Sequence, residues 1–302
     1  MNLDSKDISG DFPTNKIYLN NASVSIMPKQ SIEAMNEFII NYNSIGPDSI
    51  ESESFINEKL RNVRKIISKI INCQPDEIIL TQSTTDGINI ISNGLSFDLN
   101  SNIIIRGMFH EHHANLYPWL RLKKKVEIKN LSIDDNGFFS FDEFANFLDN
   151  NTKLVALSHA LYNTGSILPV EKIGKILDDK IFFLDGAQTV GCIENVDVKH
   201  LKCNFMSFNG SKWLCGPMGT GIFNRQRKSS DFVEPTTIGG ESAMIYEKSK
   251  LAFKNLPDKF ETGFRNYVGI VGLEVSANYL YKYGISNIRK KIFIWPTFSE
   301  MN

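Results

Sequence analysis

The stretches FFLDGAQ (182–188) and FNGSKWLCGPMGTG (208–221) decide the fold class of this chain. The first begins with a short run of large apolar residues bounded by turn formers, which is typical of a buried strand. Asp185 stands at the end of that strand, and Lys212 follows a second apolar run, NFMSF, with glycines on both sides. Because open α/β sheets bind ligands at the carboxyl ends of their strands, these stretches predict a ligand crevice containing Asp185 and Lys212.

The rest of the chain alternates between strand-like and helix-like segments. This alternation predicts a three-layer αβα fold, in which a mainly parallel sheet carries helices on both faces. Strand-like runs occupy residues 16–20, 77–82, 103–106, 126–131 and 153–160, and helical patterns cover 52–72, 83–95 and 141–149.

Composition and charge exclude some classes of partner but do not identify the function. The chain has 33 basic and 34 acidic residues, so its charge gives no indication of a nucleic-acid or anionic membrane partner. Its four cysteines form no CxxC pair, which fits a reducing cytoplasm. The N-terminus lacks the apolar core of a secretory signal, and no apolar run is long enough to cross a bilayer. We therefore expect a cytoplasmic protein with a small-molecule partner, and neither nucleic acid nor membrane.

DGAQ (185–188), followed by the F-x-G-x-K-W-x-x-G-P-x-G-x-G pattern of 208–221, resembles a known signature. It is similar to that of pyridoxal phosphate (PLP) enzymes of fold type I, in the class V aminotransferase and cysteine desulfurase-like family. The resemblance extends from about Tyr18 to about Leu273. It implies that pyridoxal 5′-phosphate is the cofactor, that Lys212 forms its Schiff base, and that Asp185 keeps the pyridine nitrogen protonated.

The activity implied by the resemblance is PLP-dependent chemistry on an amino acid, as a lyase or a transferase. The most similar group is the cysteine desulfurases and selenocysteine lyases. A class V aminotransferase, an epimerase, a kynureninase-like lyase and a truncated, non-catalytic PLP-fold protein remain as alternatives.

The segment STTDG (83–87) predicts the start of a helix. Ser83 and Asp86 match a capping box, and a helix N-terminus attracts anions through its free N–H groups and its dipole. The resemblance then implies that Thr84 and Thr85 hold the phosphate of PLP.

Further cofactor contacts follow from the resemblance alone. His112, in the EHHAN segment (111–115), is expected to stack on the ring and move protons. Gln188 is expected near the phenolic oxygen of the ring. Two positions depart from the family pattern: Asn209 replaces a serine that touches phosphate, and Tyr162 replaces an asparagine that contacts the ring oxygen. Both replacements still carry hydrogen-bond donors.

The histidine cluster at 110–113 has a second interpretation. His110, His112 and His113 with Glu111 are residue types that bind zinc or iron, so a metal-dependent hydrolase is an alternative hypothesis. No second cluster of ligands accompanies them, because His159 and His200 are scattered along the chain. We therefore expect no metal, and structural roles for His110 and His113.

Substrate contacts are the least specific predictions. The segment around Asn21 resembles the family's opening segment, which approaches the substrate. Arg265, in FETGFRN (260–266), is a candidate for binding a substrate carboxylate because its guanidinium suits bidentate pairing, and a structural salt bridge is the alternative. The resemblance also implies a homodimer, because IGGESAM (238–244) is similar to a loop that reaches the neighbouring subunit's phosphate.

The resemblance predicts three parts of the chain. Residues 1–16 form an N-terminal arm, and 17–265 form the PLP-binding large domain. Residues 266–302 form a connecting helix and the remnant of a small C-terminal domain that is otherwise absent. A large domain without that partner is expected to expose apolar surface between Val268 and Leu280.

Overall fold

The structure, a computed structural model, describes residues 8–107, 110–194, 196–227, 229, 233–247, 250–290 and 292. Within these residues the central sheet has seven strands. They are β1 (Ile78–Thr81), β2 (Asn102–Arg106), β3 (Glu127–Leu131), β4 (Thr152–Ser158), β5 (Ile181–Asp185), β6 (Phe205–Asn209) and β7 (Gly221–Arg225).

The strand order is β1-β7-β6-β5-β4-β2-β3. Neighbours from β3 through β6 run parallel, whereas β7 lies antiparallel to both β6 and β1. Strands β2 and β5 are buried along their whole length, which explains why they are continuous apolar runs. The prediction of a mainly parallel α/β sheet is confirmed.

Helices cover both faces of this sheet. Alternate strand residues enter two cores: Leu80 packs with α2, α6 and α7, whereas Ile79 packs with α3 and the buried Trp119. A separate hairpin pairs β8 (Ala243–Glu247) with β9 (Lys250–Phe253). The helices are α1 (Lys29–Ser44), α2 (Ile50–Ile71), α3 (Thr84–Gly94), α4 (Tyr117–Leu120), α5 (Phe141–Phe147), α6 (Val170–Ile176) and α7 (Tyr267–Tyr283).

Two expectations about the ends of the chain are wrong. Residues 16–20 form no strand, and Ile17 and Leu19 are 81% and 73% exposed. From Val268 to Leu280, every residue of helix α7 is buried or partly buried. It packs against α1 and α2, and it buries residues that include Ile270, Leu273 and Leu280. Residues 1–7 of the predicted arm and 293–302 of the predicted C-terminal remnant lie outside the described residues.

No helix among the described residues combines the length and the apolar character required to cross a membrane.

Candidate active site

The carboxyl ends of β4, β5 and β6 and the start of α3 surround a cavity of about 380 Å³. All eight residues predicted to contact the cofactor line this cavity, although they come from segments far apart in the sequence. They are Thr84, Thr85, His112, Tyr162, Asp185, Gln188, Asn209 and Lys212.

Asp185 and Lys212 form the charged centre of the cavity. Asp185 is 5% exposed, and its Oδ1 accepts a hydrogen bond of 2.8 Å from the Ala187 N–H. Burial raises the pKa of Asp185 to about 6, against the opposing effects of that hydrogen bond and of Lys212. Burial lowers the pKa of Lys212, and the attraction of Asp185 opposes this shift. A lysine with a lowered pKa has more neutral amine, which is the form that attacks a carbonyl carbon.

The N-terminus of α3 reaches the cavity because two glycines allow close packing. A Cβ on Gly87 would lie 2.2 Å from Ser207 Oγ, and one on Gly221 would lie 2.3 Å from the Ser83 nitrogen. Ser83 caps the helix by accepting from the Asp86 N–H at 3.2 Å. The Asp86 carboxylate accepts from the N–H of Gln82, not of Ser83, so only half of the predicted capping box forms.

The residues predicted to contact phosphate have hydrogen-bonding atoms without a partner among the described residues. Thr84 is 7% exposed, and its Oγ1 has no hydrogen-bond partner among the described residues. Asn209 Oδ1 is also buried without a partner, while its Nδ2 donates to Ser211 Oγ at 3.2 Å. Because a hydroxyl both donates and accepts, the reverse orientation of the Asn209 amide would equally satisfy Ser211 and would place the Nδ2 donors where the unpartnered Oδ1 now lies.

His112 has a defined tautomer. Its Nδ1 accepts a hydrogen bond of 3.1 Å from the Ala114 N–H, so the proton of the neutral ring lies on Nε2. The ring meets Tyr162 edge to face, with centroids 5.2 Å apart. Although part of the ring is open to solvent, desolvation lowers the pKa of His112, and Lys212 and His113 lower it further.

The neighbouring histidines are held by other contacts. His113 stacks on Tyr117 with centroids 4.6 Å apart, and His110 Nδ1 lies 3.2 Å from Asn163 Nδ2. Within the described part of the chain, no group of three His, Cys, Asp or Glu side chains is placed to hold a metal ion.

Glu111 also lines the cavity. From the sequence, its only suggested role was as a metal ligand in the histidine cluster. It is 2% exposed, and its Oε1 accepts hydrogen bonds from Ser158 Oγ and, at 2.9 Å, from the His112 N–H. Burial raises the pKa of Glu111 to about 7, with Asp185 adding to the effect and Ser158 opposing it. Ser158, the partner of Glu111, lies beside Asp185 at the ends of β4 and β5. The rule that the carboxyl ends of parallel strands meet at one crevice could therefore have predicted that Ser158 lies in the site.

Gln188 is tied to two distant segments that sequence reasoning did not connect. It accepts from Trp213 Nε1 at 2.8 Å and donates to the Ala22 carbonyl at 2.9 Å. The segment around Ala22 is also attached to the lysine loop, because the Ser25 N–H donates to the Ser211 carbonyl at 2.7 Å. The segment 20–25 therefore forms one wall of the cavity, which it lines with Asn20, Ala22 and Ser23.

The two predicted substrate residues lie outside the cavity lining. Asn21 Oδ1 accepts from Ser25 Oγ at 3.2 Å, although its neighbours Asn20 and Ala22 line the cavity. Arg265 lies in a separate cavity of about 360 Å³, where it pairs with Glu261 and, at 3.5 Å, with Asp258. Its contact with a substrate stays a prediction, and the alternative structural salt bridge is present.

None of the four cysteines presents an exposed thiol that ionises readily near neutral pH. Cys73, Cys192 and Cys203 are buried, and Cys215 is partly buried. Burial raises the pKa of all four thiols, to about 12 for Cys192 and Cys203 and to about 11 for Cys215. Thiols with raised pKa values are poor nucleophiles near neutral pH.

A mainly parallel sheet with a lysine and an aspartate at its strand ends is the architecture of PLP enzymes of fold type I. Residues 17–293 match the model of the family described as aminotransferase class-V, and the chain belongs to that family. It is therefore a PLP-dependent enzyme of the lyase or transferase type.

Curated relatives and solved structures agree with this family. A probable cysteine desulfurase of Methanothermobacter thermautotrophicus is 31% identical over 291 residues, which are 94% of this chain and 72% of the relative. A probable cysteine desulfurase of Pyrococcus abyssi is 33% identical over 293 residues, covering 95% of this chain and 73% of the relative. The apo structure of the Thermococcus onnurineus cysteine desulfurase superposes with a TM-score of 0.85 at 30% identity, covering 93% of this chain and 71% of that one. The function of the chain is thus cysteine desulfurase-like.

The side chains present fit the cofactor. The partnerless Thr84 hydroxyl and the free N–H groups at the start of α3 suit a phosphate group. The buried Asp185 carboxylate suits a protonated ring nitrogen, and Lys212 supplies the amine.

Proposed function

We propose that this chain removes the sulfur atom of a cysteine-like amino acid, with PLP bound in the cavity at Lys212. The observation that carries the proposal is the convergence of Lys212, Asp185, His112 and the α3 N-terminus on one cavity. The similarity to cysteine desulfurases supports sulfur chemistry as the reaction type.

Each residue of the cavity has a proposed role that follows from its chemical groups. When bound, PLP accepts the electron pair released at the substrate carbon. Lys212 would hold the cofactor through its amine, and the same Nζ would take and return a proton during turnover. Asp185 holds the ring nitrogen protonated, and Thr84 and Thr85 bind the phosphate at the helix start. His112 presents Nε2–H as a proton donor, since Nδ1 is occupied by the Ala114 N–H.

The sulfur acceptor is proposed to be a thiol outside this chain's own cysteines. In the balanced reaction, cysteine and a thiol R–SH give alanine and the persulfide R–SSH. The C–S bond breaks, a C–H bond forms, and the acceptor thiol becomes oxidised. The four cysteines are buried or partly buried and have raised pKa values, so we assign the acceptor role to an added thiol.

The same observation favours a second candidate reaction, elimination. Cysteine and water would give pyruvate, ammonia and hydrogen sulfide, with no acceptor thiol. Alanine formation that depends on added dithiothreitol indicates transfer, whereas pyruvate formation without it indicates elimination.

We also propose a cytoplasmic homodimer. The proposal rests on the family resemblance, which implies that the loop at 238–244 reaches the phosphate of a neighbouring subunit. Light scattering of the purified protein tests the dimer, and a monomer at micromolar concentration would contradict it.

The first test is the visible spectrum of the protein with added PLP, comparing wild type with Lys212→Ala. We expect a yellow band that borohydride bleaches in the wild type and that is absent in the variant, with turnover reduced by at least about a thousandfold. Lys175→Ala, which removes an exposed lysine paired with Glu171, is the matched control and should keep the band.

Two outcomes would contradict the proposal. A wild-type protein without the band does not bind PLP as a Lys212 adduct. A band without alanine, pyruvate or sulfide formation from cysteine would indicate either another reaction, such as transamination, or the non-catalytic alternative.

A further inference from the structure

The side-chain amide of Gln188 is held by two partners that are each restricted to one role. Trp213 Nε1 donates to Gln188 Oε1 at 2.8 Å, and Gln188 Nε2 donates to the Ala22 carbonyl at 2.9 Å. An indole N–H only donates, and a backbone carbonyl only accepts. Both contacts therefore require the same orientation of the amide.

This constraint matters because the two ends of a glutamine amide have the same shape and opposite hydrogen-bonding character. With Oε1 facing Trp213 and one N–H bound to Ala22, the second N–H of Nε2 is left over. Gln188 lines the same cavity as Asp185 and Lys212, so this N–H is the donor that the residue offers to a bound molecule.

We propose that Trp213 is a positioning residue that fixes the Gln188 amide with its N–H side toward the phenolic oxygen of bound PLP. Trp213 itself follows Lys212 directly and is partly buried. The lysine that binds the cofactor and the indole that orients the glutamine thus move with the same loop. This inference rests on the proposed cofactor site, and it adds Trp213 to the residues that act on the cofactor, through Gln188.

The effect of Trp213 on Gln188 can be tested separately from the contacts that hold the cavity wall at 20–25 in place. Residues 20–25 keep the bond from the Ser25 N–H to the Ser211 carbonyl whether or not Trp213 has a donor. Loss of the indole N–H should therefore affect the orientation of Gln188 and leave the wall in place.

The test is Trp213→Phe, which keeps an aromatic ring and removes the donor. The readout is the pH midpoint at which the visible band of the PLP-loaded protein changes. A donor to the phenolic oxygen stabilises its negative charge, so losing that donor should raise the midpoint by about one unit, the size expected for one hydrogen bond to a charged atom. The dissociation constant of PLP should rise by roughly tenfold.

Two further variants separate orientation from looser packing. Gln188→Glu still accepts from Trp213 but has no N–H, so it should raise the midpoint, and adding Trp213→Phe to it should cause no further shift. Tyr18→Phe removes the 2.5 Å hydrogen bond from Tyr18 to the Val24 carbonyl, loosening the same wall without touching Gln188, and should leave the midpoint unchanged.

An unchanged midpoint in Trp213→Phe, an additive shift in the double variant, or a Tyr18→Phe shift of equal size would each overturn the inference. If Trp213→Phe does not fold, Trp213→His provides a second ring with an N–H donor and should give the wild-type midpoint. A wild type without any PLP band would instead overturn the proposed cofactor site itself.

Discussion

At the scale of single residues, the cavity concentrates ionisable groups that burial has displaced from their ordinary pKa values. Glu111 lies close enough to Asp185 for their charges to repel, and the buried Arg106 attracts it. Arg106 is completely buried, and its guanidinium nitrogens have no hydrogen-bond partner among the described residues. Displaced pKa values are typical of functional sites because acid–base chemistry requires groups that titrate near neutral pH.

Glu111→Gln should change how stability depends on pH. The folded protein retains the Glu111 proton up to about pH 7, whereas the unfolded chain loses it near 4.5, so ionisation opposes folding as pH rises between these values. The variant cannot ionise. Its free energy of unfolding should therefore improve relative to wild type by a few kcal/mol between about pH 4.5 and pH 8, measured by urea denaturation.

Glu171→Gln is the control of opposite sign for this experiment. The exposed Glu171 has a lowered pKa because it accepts from Lys175, so its contribution to stability appears as pH rises. Its removal should give a weak trend in the other direction. A flat difference between Glu111→Gln and wild type across this range would show that Glu111 ionises normally.

Sequence reasoning found the residues whose neighbours in the chain identify them. Asp185 follows an apolar strand, and Lys212 lies among glycines, so position alone brought them into the predicted crevice. The sequence around Glu111 and Trp213 does not indicate the roles described above. These roles depend on Ser158 and Gln188, which are brought near only in the folded protein. The roles of the predicted site residues stay predictions until variants test them.

At the scale of elements, helix α3 depends on a close fit against β6. Ser207 Oγ donates to the Thr84 carbonyl at 3.0 Å, which fixes the first turn of the helix to the sheet. Gly87 makes this approach possible, because a larger side chain would collide with Ser207. The position of the predicted anion site therefore depends on glycine at 87, as it also does on glycine at 221.

Gly87→Ala should destabilise the protein, although alanine normally favours a helix by up to about 1 kcal/mol over glycine. The added methyl group would force α3 away from β6, which we expect to reduce the free energy of unfolding by about 1 to 3 kcal/mol. PLP affinity should fall with it, because the Thr84 hydroxyl moves with the helix.

Ser207→Gly in the same chain provides the compensating control for this substitution. Removing the serine side chain makes room for the new methyl group, so the double variant should recover part of the stability measured by thermal unfolding. A Gly87→Ala variant as stable as wild type would refute the close fit.

The strand and helix order was predictable because apolar periodicity is a local property of the chain. The direction of β7 was not, since the pattern of a five-residue strand is the same whether the strand runs parallel or antiparallel to its neighbours. The expected strand at 16–20 does not form, and this segment pairs with none of the strands that the structure describes, because strand propensity alone does not supply a pairing partner.

At the scale of the whole molecule, Glu261 connects elements that lie far apart in the sequence. Its carboxylate accepts from Arg64 Nη2 and from the Leu80 N–H, each at 2.7 Å, and it also pairs with Arg265. These contacts join α2, β1 and the segment preceding α7. Glu261 and Arg64 are 3% and 9% exposed, so neither charge has water as a substitute partner.

Glu261→Gln should reduce the free energy of unfolding by about 3 kcal/mol, because it leaves the buried Arg64 charge without its counterion. Asp258→Asn is the matched control, since Asp258 pairs with the same Arg265 from an exposed position and should contribute less than about 1 kcal/mol. Equal losses in the two variants, measured by chemical denaturation, would refute a special role for the buried pair.

The antiparallel direction of β7 has a consequence for the order in which the molecule assembles. Strands β6 and β7 are neighbours in the chain and in the sheet, so the hairpin that carries Lys212 closes over a short loop. The contacts that complete its surroundings join Gln188 to Ala22 and Ser207 to Thr84, which are 166 and 123 residues apart. Because distant contacts carry a larger loop-closure entropy, the lysine hairpin can form early while the cofactor cavity is finished late. PLP is therefore expected to bind the completed fold and to raise the free energy of unfolding by mass action.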